Sequence, residues 1–116
     1  MINVLVFAAL VEAATGLALL AVPSLVGQLL LGEQLAGVAI PIARVTGIAL
    51  IALGIACWPG PPLVGMLTYS ALVTLYLAWL GFAGDFKGVL LWPAVAIHVV
   101  LTAFLFRNFT RLRFAD

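Results

Sequence analysis

Four runs of about twenty apolar residues, separated by breaks too short to fold into anything of their own, limit what this chain can become. A helix needs about 20 predominantly apolar residues, at 1.5 Å rise each, to cross the hydrocarbon core of a bilayer. The first run covers Ile2 to Val22 and ends at Pro23. The second covers Leu35 to Cys57 and is closed by Trp58-Pro-Gly-Pro-Pro62. The third covers Leu63 to Phe82 and runs out in Ala83-Gly84-Asp85-Phe86-Lys87-Gly88. The fourth covers Val89 to Phe106 and is followed by Arg107-Asn-Phe-Thr-Arg-Leu-Arg113. The four together use nearly the whole of a 116-residue chain. The expected fold is therefore all-α: one polytopic membrane domain of four transmembrane helices in an antiparallel bundle. The stretch from Ser24 to Gln34 is rich in leucine but carries Gln28, Glu33 and two glycines. It reads as a short helix or re-entrant turn lying in the interface between spans one and two.

Composition excludes the alternatives. The chain is 66% hydrophobic and 8% charged, against roughly a quarter charged for a soluble domain, whose surface must face water. A net charge of +1 is far from the dense basic surface that phosphate-driven nucleic-acid binding requires. The single cysteine, Cys57, rules out an internal disulfide framework and a multi-cysteine metal site, and reads as inert filling. No Walker loop, GxGxxG or HExxH is present, which removes the common nucleotide and metalloprotease chemistries. A cleaved signal peptide is not expected, since no basic n-region precedes the first run and Glu12 interrupts its apolar stretch.

Orientation follows from the basic residues. Arg107, Arg111 and Arg113 lie just past the fourth run, and the positive-inside rule assigns that end to the cytoplasm. An even number of spans then puts both termini there, in the inner membrane of a bacterium. Glu33 and the Asp85–Lys87 loop face outward, with Trp79 and Trp92 at the outer interface and Trp58 at the inner one. On this topology the sequon Asn108-Phe109-Thr110 is cytoplasmic and cannot be glycosylated.

Three ionisable residues then fall near one depth. Glu12 lies about 15 Å into span one, and Arg44 and His98 about 13–14 Å into spans two and four. Ionisable side chains in a membrane face the bundle interior and pair, so Glu12 and Arg44 are expected to form an ion pair. That pair can be purely structural, fixing how helices one and two meet. Ala8, Glu12, Thr15 and Gly16 share a helical face. Gly37, Pro41, Arg44, Gly47 and Gly54 form a stripe of mostly small residues that lets helix backbones approach closely. Pro41 would free the carbonyl of Gly37 as an acceptor. Ser70 with Thr74, Tyr69 with Tyr76, and Thr102 one turn after His98 complete the polar set. Ser and Thr in spans usually bond back to their own helix, and a tyrosine there is commonly packing. His98 has a bland reading as a neutral imidazole bonded to a hydroxyl or carbonyl. It also has sharper ones: proton transfer with Glu12, contact with a quinone or polar headgroup, or one axial bond to haem, the second coming from another subunit.

Glu12-Ala-Ala-Thr-Gly16, Pro23 through Leu31-Gly32, Arg44-Val-Thr-Gly47 with Gly54, and Leu91-Trp92-Pro93 followed by His98 resemble the small bacterial four-helix membrane proteins that include the DoxX-like group. Some of that group are associated with membrane oxidoreductase complexes, which implies an accessory role. Leu10-Val11-Glu12 with Gly16 is also similar to the first span of small multidrug exporters, whose membrane glutamate exchanges protons for cationic drugs. The departure is Arg44, which at matched depth would hold Glu12 ionised. The expected function is a non-catalytic accessory or structural subunit, binding other membrane subunits or copies of itself. The alternatives are a homodimeric proton-coupled transporter working through Glu12, and a quinone- or haem-binding subunit using His98.

Overall fold

The computed structural model describes residues 3–84, 86 and 88–114. Five helices follow in order: α1 (Val4–Ala21), α2 (Pro23–Leu31), α3 (Ala39–Cys57), α4 (Pro62–Ala83) and α5 (Leu91–Phe114). Four of them, α1, α3, α4 and α5, are long and apolar enough to cross a membrane. Ile2, Asp85 and Lys87, assigned above to the first span and the outer loop, lie outside the described residues.

Local chemistry explains the boundaries. Asn3 stands in extended backbone ahead of α1, and its side chain accepts a hydrogen bond from the Leu5 amide at 2.9 Å, filling one of the unpaired donors of the first turn. α1 stops at Val22 because the ring of Pro23 disfavours helical backbone in the residue before it. Pro23 then opens α2, where its missing N–H is no loss. Gly32, at φ +86, closes α2 in the left-handed region that favours glycine.

Two helices differ from the hydropathy reading. α3 begins at Ala39, four residues after the expected start at Leu35. The chain before it turns through Gly37 at φ +59, and the Ala39 and Ile40 amides donate to the carbonyls of Ala36 and Gly37. Apolar residues at 35–38 prolong the hydropathy run without prolonging the helix. α5 departs in the other direction, running eight residues past Phe106 to Phe114. Hydropathy ends at Arg107, but arginine is a good helix former. Arg111 and Arg113 in the last turn also complement the negative end of the helix dipole.

The chain divides into two compact units, Met1–Gly65 and Met66–Asp116, and α4 passes from one to the other after Gly65. In the first unit α1 and α3 meet through glycine. A Cβ on Gly16 would fall 2.5 Å from the Gly47 carbonyl oxygen, and one on Gly47 would fall 2.5 Å from that of Gly16. A Cβ on Gly54 would lie 2.8 Å from the Ala9 oxygen. Rising numbers on α1 meet falling numbers on α3, so these two helices are antiparallel. Backbone contact this close gains dispersion energy that larger side chains would prevent. Gly16, Gly47 and Gly54 therefore line the α1–α3 contact. Gly37 does not belong to it, because a Cβ there would have nothing within 4 Å; its task is the turn. Pro41 is buried in the first turn of α3, where no intrahelical partner for an N–H exists. The Gly37 carbonyl it was expected to free accepts from Ile40 at 3.1 Å.

In the second unit α4 and α5 form a hairpin. A Cβ on Gly81 would lie 2.6 Å from the Trp92 ring, and Phe82 meets the same ring edge-on at 5.2 Å between centroids. Ser70, Val73, Leu80 and Val95 are its buried side chains among the described residues. Large apolar side chains such as Phe7, Leu10, Leu17 and Phe104 are more than half exposed. In water that would be a liability; in lipid it is the natural surface of a spanning helix.

Candidate functional site

The polar positions fall into two groups, Glu12, Thr15 and Arg44 in the first unit and Thr74, Tyr76, His98 and Thr102 in the second. Within the first, the α1–α3 register decides what can meet. Gly16 lies against Gly47 and Ile51, and Gly47 against Leu19 and Leu20. Counting three residues back along α3 from Gly47 puts Arg44 level with Leu19–Ala21. That is seven to nine residues from Glu12, or about 10–13 Å along the helix axis. Neither Glu12 nor Arg44 makes an ion pair or hydrogen bond among the described residues. The ion pair inferred from matched depth is therefore not formed within this chain. Its premise fails at the start of α3: Arg44 is the sixth residue of that helix, not the tenth residue of a longer span. A long side chain so near a helix end can carry its charge toward the interface along its own apolar stem. Glu12, the ninth of the eighteen residues of α1, has no such exit. It remains half-buried beside the glycine seam.

The hydroxyls are accounted for locally. Thr15 donates to the Val11 carbonyl at 2.9 Å, Thr74 to that of Ser70 at 2.6 Å, and Thr102 to that of His98 at 2.6 Å. Each bond reaches one turn back along its own helix, the usual resting place for a threonine in a span. His98 does the same through Nδ1, 2.8 Å from the Ala94 carbonyl oxygen. A carbonyl can only accept, so Nδ1 is the donor and carries a proton. Tyr76 stacks on Trp79 of the next turn at 5.9 Å. The ring that meets His98 is Tyr69, edge-on at 6.2 Å. Span depth favours Tyr76 for that contact; the register of the α4–α5 hairpin, invisible to periodicity, selects Tyr69.

Chemically, the two groups contain one carboxylate without an ion pair among the described residues, one guanidinium near the start of its helix and one imidazole tied to its own backbone. No described cluster of three His, Cys, Asp or Glu side chains could hold a metal ion. The hydrogen bonds of Thr15, Thr74, His98 and Thr102 run to backbone carbonyls, and none joins a nucleophile to a base. Glycines at 27, 65 and 81 also hold close contacts that the stripe argument missed. A Cβ on Gly27 would meet Leu35 at 2.7 Å and one on Gly65 would meet Ala56 at 2.5 Å. Only the facing residue marks them, and that residue is distant in sequence. Comparison with known protein families, with characterised proteins and with solved structures finds nothing that matches this chain.

Proposed function

We propose that the chain is a non-catalytic accessory subunit of a larger assembly in the inner membrane of a bacterium. In this reading its spanning helices form an antiparallel bundle, α2 lies in the interface, and both termini are cytoplasmic. The observation that carries it is Glu12: a carboxylate in the middle of α1 with no ion pair or hydrogen bond among the described residues. Ionisable groups inside a bilayer persist by pairing or by facing a polar interior, so the missing partner is supplied by a helix of another chain. The back-bonded threonines and His98 agree with it, since they build packing surfaces and no reaction centre. The resemblance to DoxX-like proteins points the same way.

The test is native mass spectrometry of the protein gently extracted from its own membranes. The expected mass is this chain plus other polypeptides, with Glu12→Gln at least tenfold poorer in recovering them while still inserting normally. A chain recovered alone overturns the reading. A mass of two identical copies favours a second one, proton-coupled transport by a homodimer. One finding supports that alternative: with Arg44 two turns away, no cation is held beside Glu12 among the described residues. Loss of uptake in a fully inserted Glu12→Gln variant would then decide for transport. A C-terminal reporter that is active only in the cytoplasm tests the orientation, and a periplasmic signal refutes it.

A further inference from the structure

Within the second unit, α4 and α5 leave an open groove of about 540 Å³ between them. Leu67, Ala71 and Leu75 form one wall, and Val99, Ala103 and Phe106 the other. Thr74 and Thr102 also line it, but both hydroxyls are donated to carbonyls of their own helices. Each wall carries one alanine, Ala71 and Ala103, and the engaged hydroxyls leave the groove apolar. With both hydroxyl protons engaged, a polar solute would find no free donor there to replace its water. Hydrocarbon loses nothing on entering.

The groove also has a charged end. Val99, Thr102, Ala103 and Phe106 follow one stripe of α5 by i, i+3, i+4 and i+7 spacing. The helix continues unbroken, so the stripe continues through Phe109 and Thr110, both half-buried, to exposed Arg113. The Arg113 guanidinium stands 6.0 Å over the Phe109 ring, a cation–π contact that holds it along the stripe. No Asp or Glu occurs from residue 88 to residue 114, and Arg113 has no ion pair among the described residues. Arg107 lies about 100° around the helix from Phe106 and off this line.

We propose that this groove holds an acyl chain of an anionic phospholipid, whose headgroup phosphate is bound by Arg113. An apolar trough ending in an arginine with no ion pair among the described residues is complementary to a molecule that is hydrocarbon at one end and anionic at the other. The spacing agrees: Phe106 and Arg113 are seven residues apart, about 10 Å along the axis, enough to pass from hydrocarbon into the headgroup layer. Binding does not depend on whether the chain has protein partners.

The experiment titrates the full chain in mild detergent with dioleoyl phosphatidylglycerol or dioleoyl phosphatidylcholine and counts retained lipids by native mass spectrometry. Phosphatidylglycerol should be retained about fivefold better, the worth of one well-placed arginine near a charged headgroup. Arg113→Gln should abolish that preference, while Arg107→Gln changes it less than twofold. Ala103→Leu, which fills the groove, should lower retention of both lipids without altering their ratio. Ala71→Leu on the opposite wall repeats this arm if the first variant fails to insert. Equal retention of the two lipids by the unaltered chain overturns the proposal. So does an Arg107→Gln effect as large as that of Arg113→Gln, which would mark a diffuse interfacial charge, or a filled groove that retains lipid as before.

Discussion

Glu12 and Arg44 illustrate how much a few residues of helix boundary matter to a charged side chain. Both sit in apolar sequence, both are half-buried, and opposite charges on neighbouring helices invite pairing. A shift of four residues in the start of α3 moves Arg44 about 6 Å toward the helix end, where its charge can reach the interface. The register of the glycine seam then separates it from Glu12 by two turns. We expect the two to be energetically independent. In a double-mutant cycle on the detergent-solubilised single chain, Glu12→Gln and Arg44→Gln should add to within about 0.5 kcal/mol. A coupling of 1 kcal/mol or more, read from unfolding in mixed micelles, would restore the intrachain pair.

Helix α2 shows how a short element is held without a core of its own. Nine residues are too few for a stable isolated helix, so α2 depends on its caps and on the segment that follows. Pro23 and Gly32 set its ends. The Ser24 hydroxyl donates to the Leu35 carbonyl at 2.9 Å, and Gly27 lets the Glu33 carbonyl and the Leu35 side chain pack against it. These contacts return the chain to the start of α3 and so determine where that helix begins. Ser24→Ala should cost about 1 kcal/mol. It should appear as faster amide exchange over residues 32–38, with α1 unchanged. Unchanged exchange in that segment would show that the glycine contact alone suffices.

Over the molecule as a whole, close contact is concentrated between α1 and α3, where Gly16, Gly47 and Gly54 bring two backbones together. A third of the α3 span is buried, against 6% of that of α5. Most of α5 is thus surface, available to lipid or to another helix. Because the two units are compact separately, damage to the seam should stay largely within the first. Gly47→Ala must displace backbone that has no room to move, at about 1–3 kcal/mol as in other overpacked sites, and Gly47→Leu should be worse. Amide exchange should rise in α1 and α3 while that of α5 holds. Loosening of all four spanning helices together would instead mean that the chain unfolds as one cooperative body.

The spanning helices were legible in the residues because a bilayer demands a long apolar run and little else, and α4 was placed to within a residue at either end. Gly16, Gly47 and Gly54 were legible for a related reason, since small residues on one helical face have few other uses in a span. Arg44, Tyr69 and the last two turns of α5 were not. Hydropathy reports the solvent each residue prefers, whereas helix limits depend on backbone hydrogen bonds, turns and caps. The facing partner depends on register between segments distant along the chain, which only close contact between helices sets. Periodicity therefore named the polar side chains of this protein, and the structure decided their partners: Thr15, Thr74, Thr102 and His98 bond back to their own helices, the Ser24 hydroxyl reaches beyond its own, and Glu12 has no ion pair among the described residues.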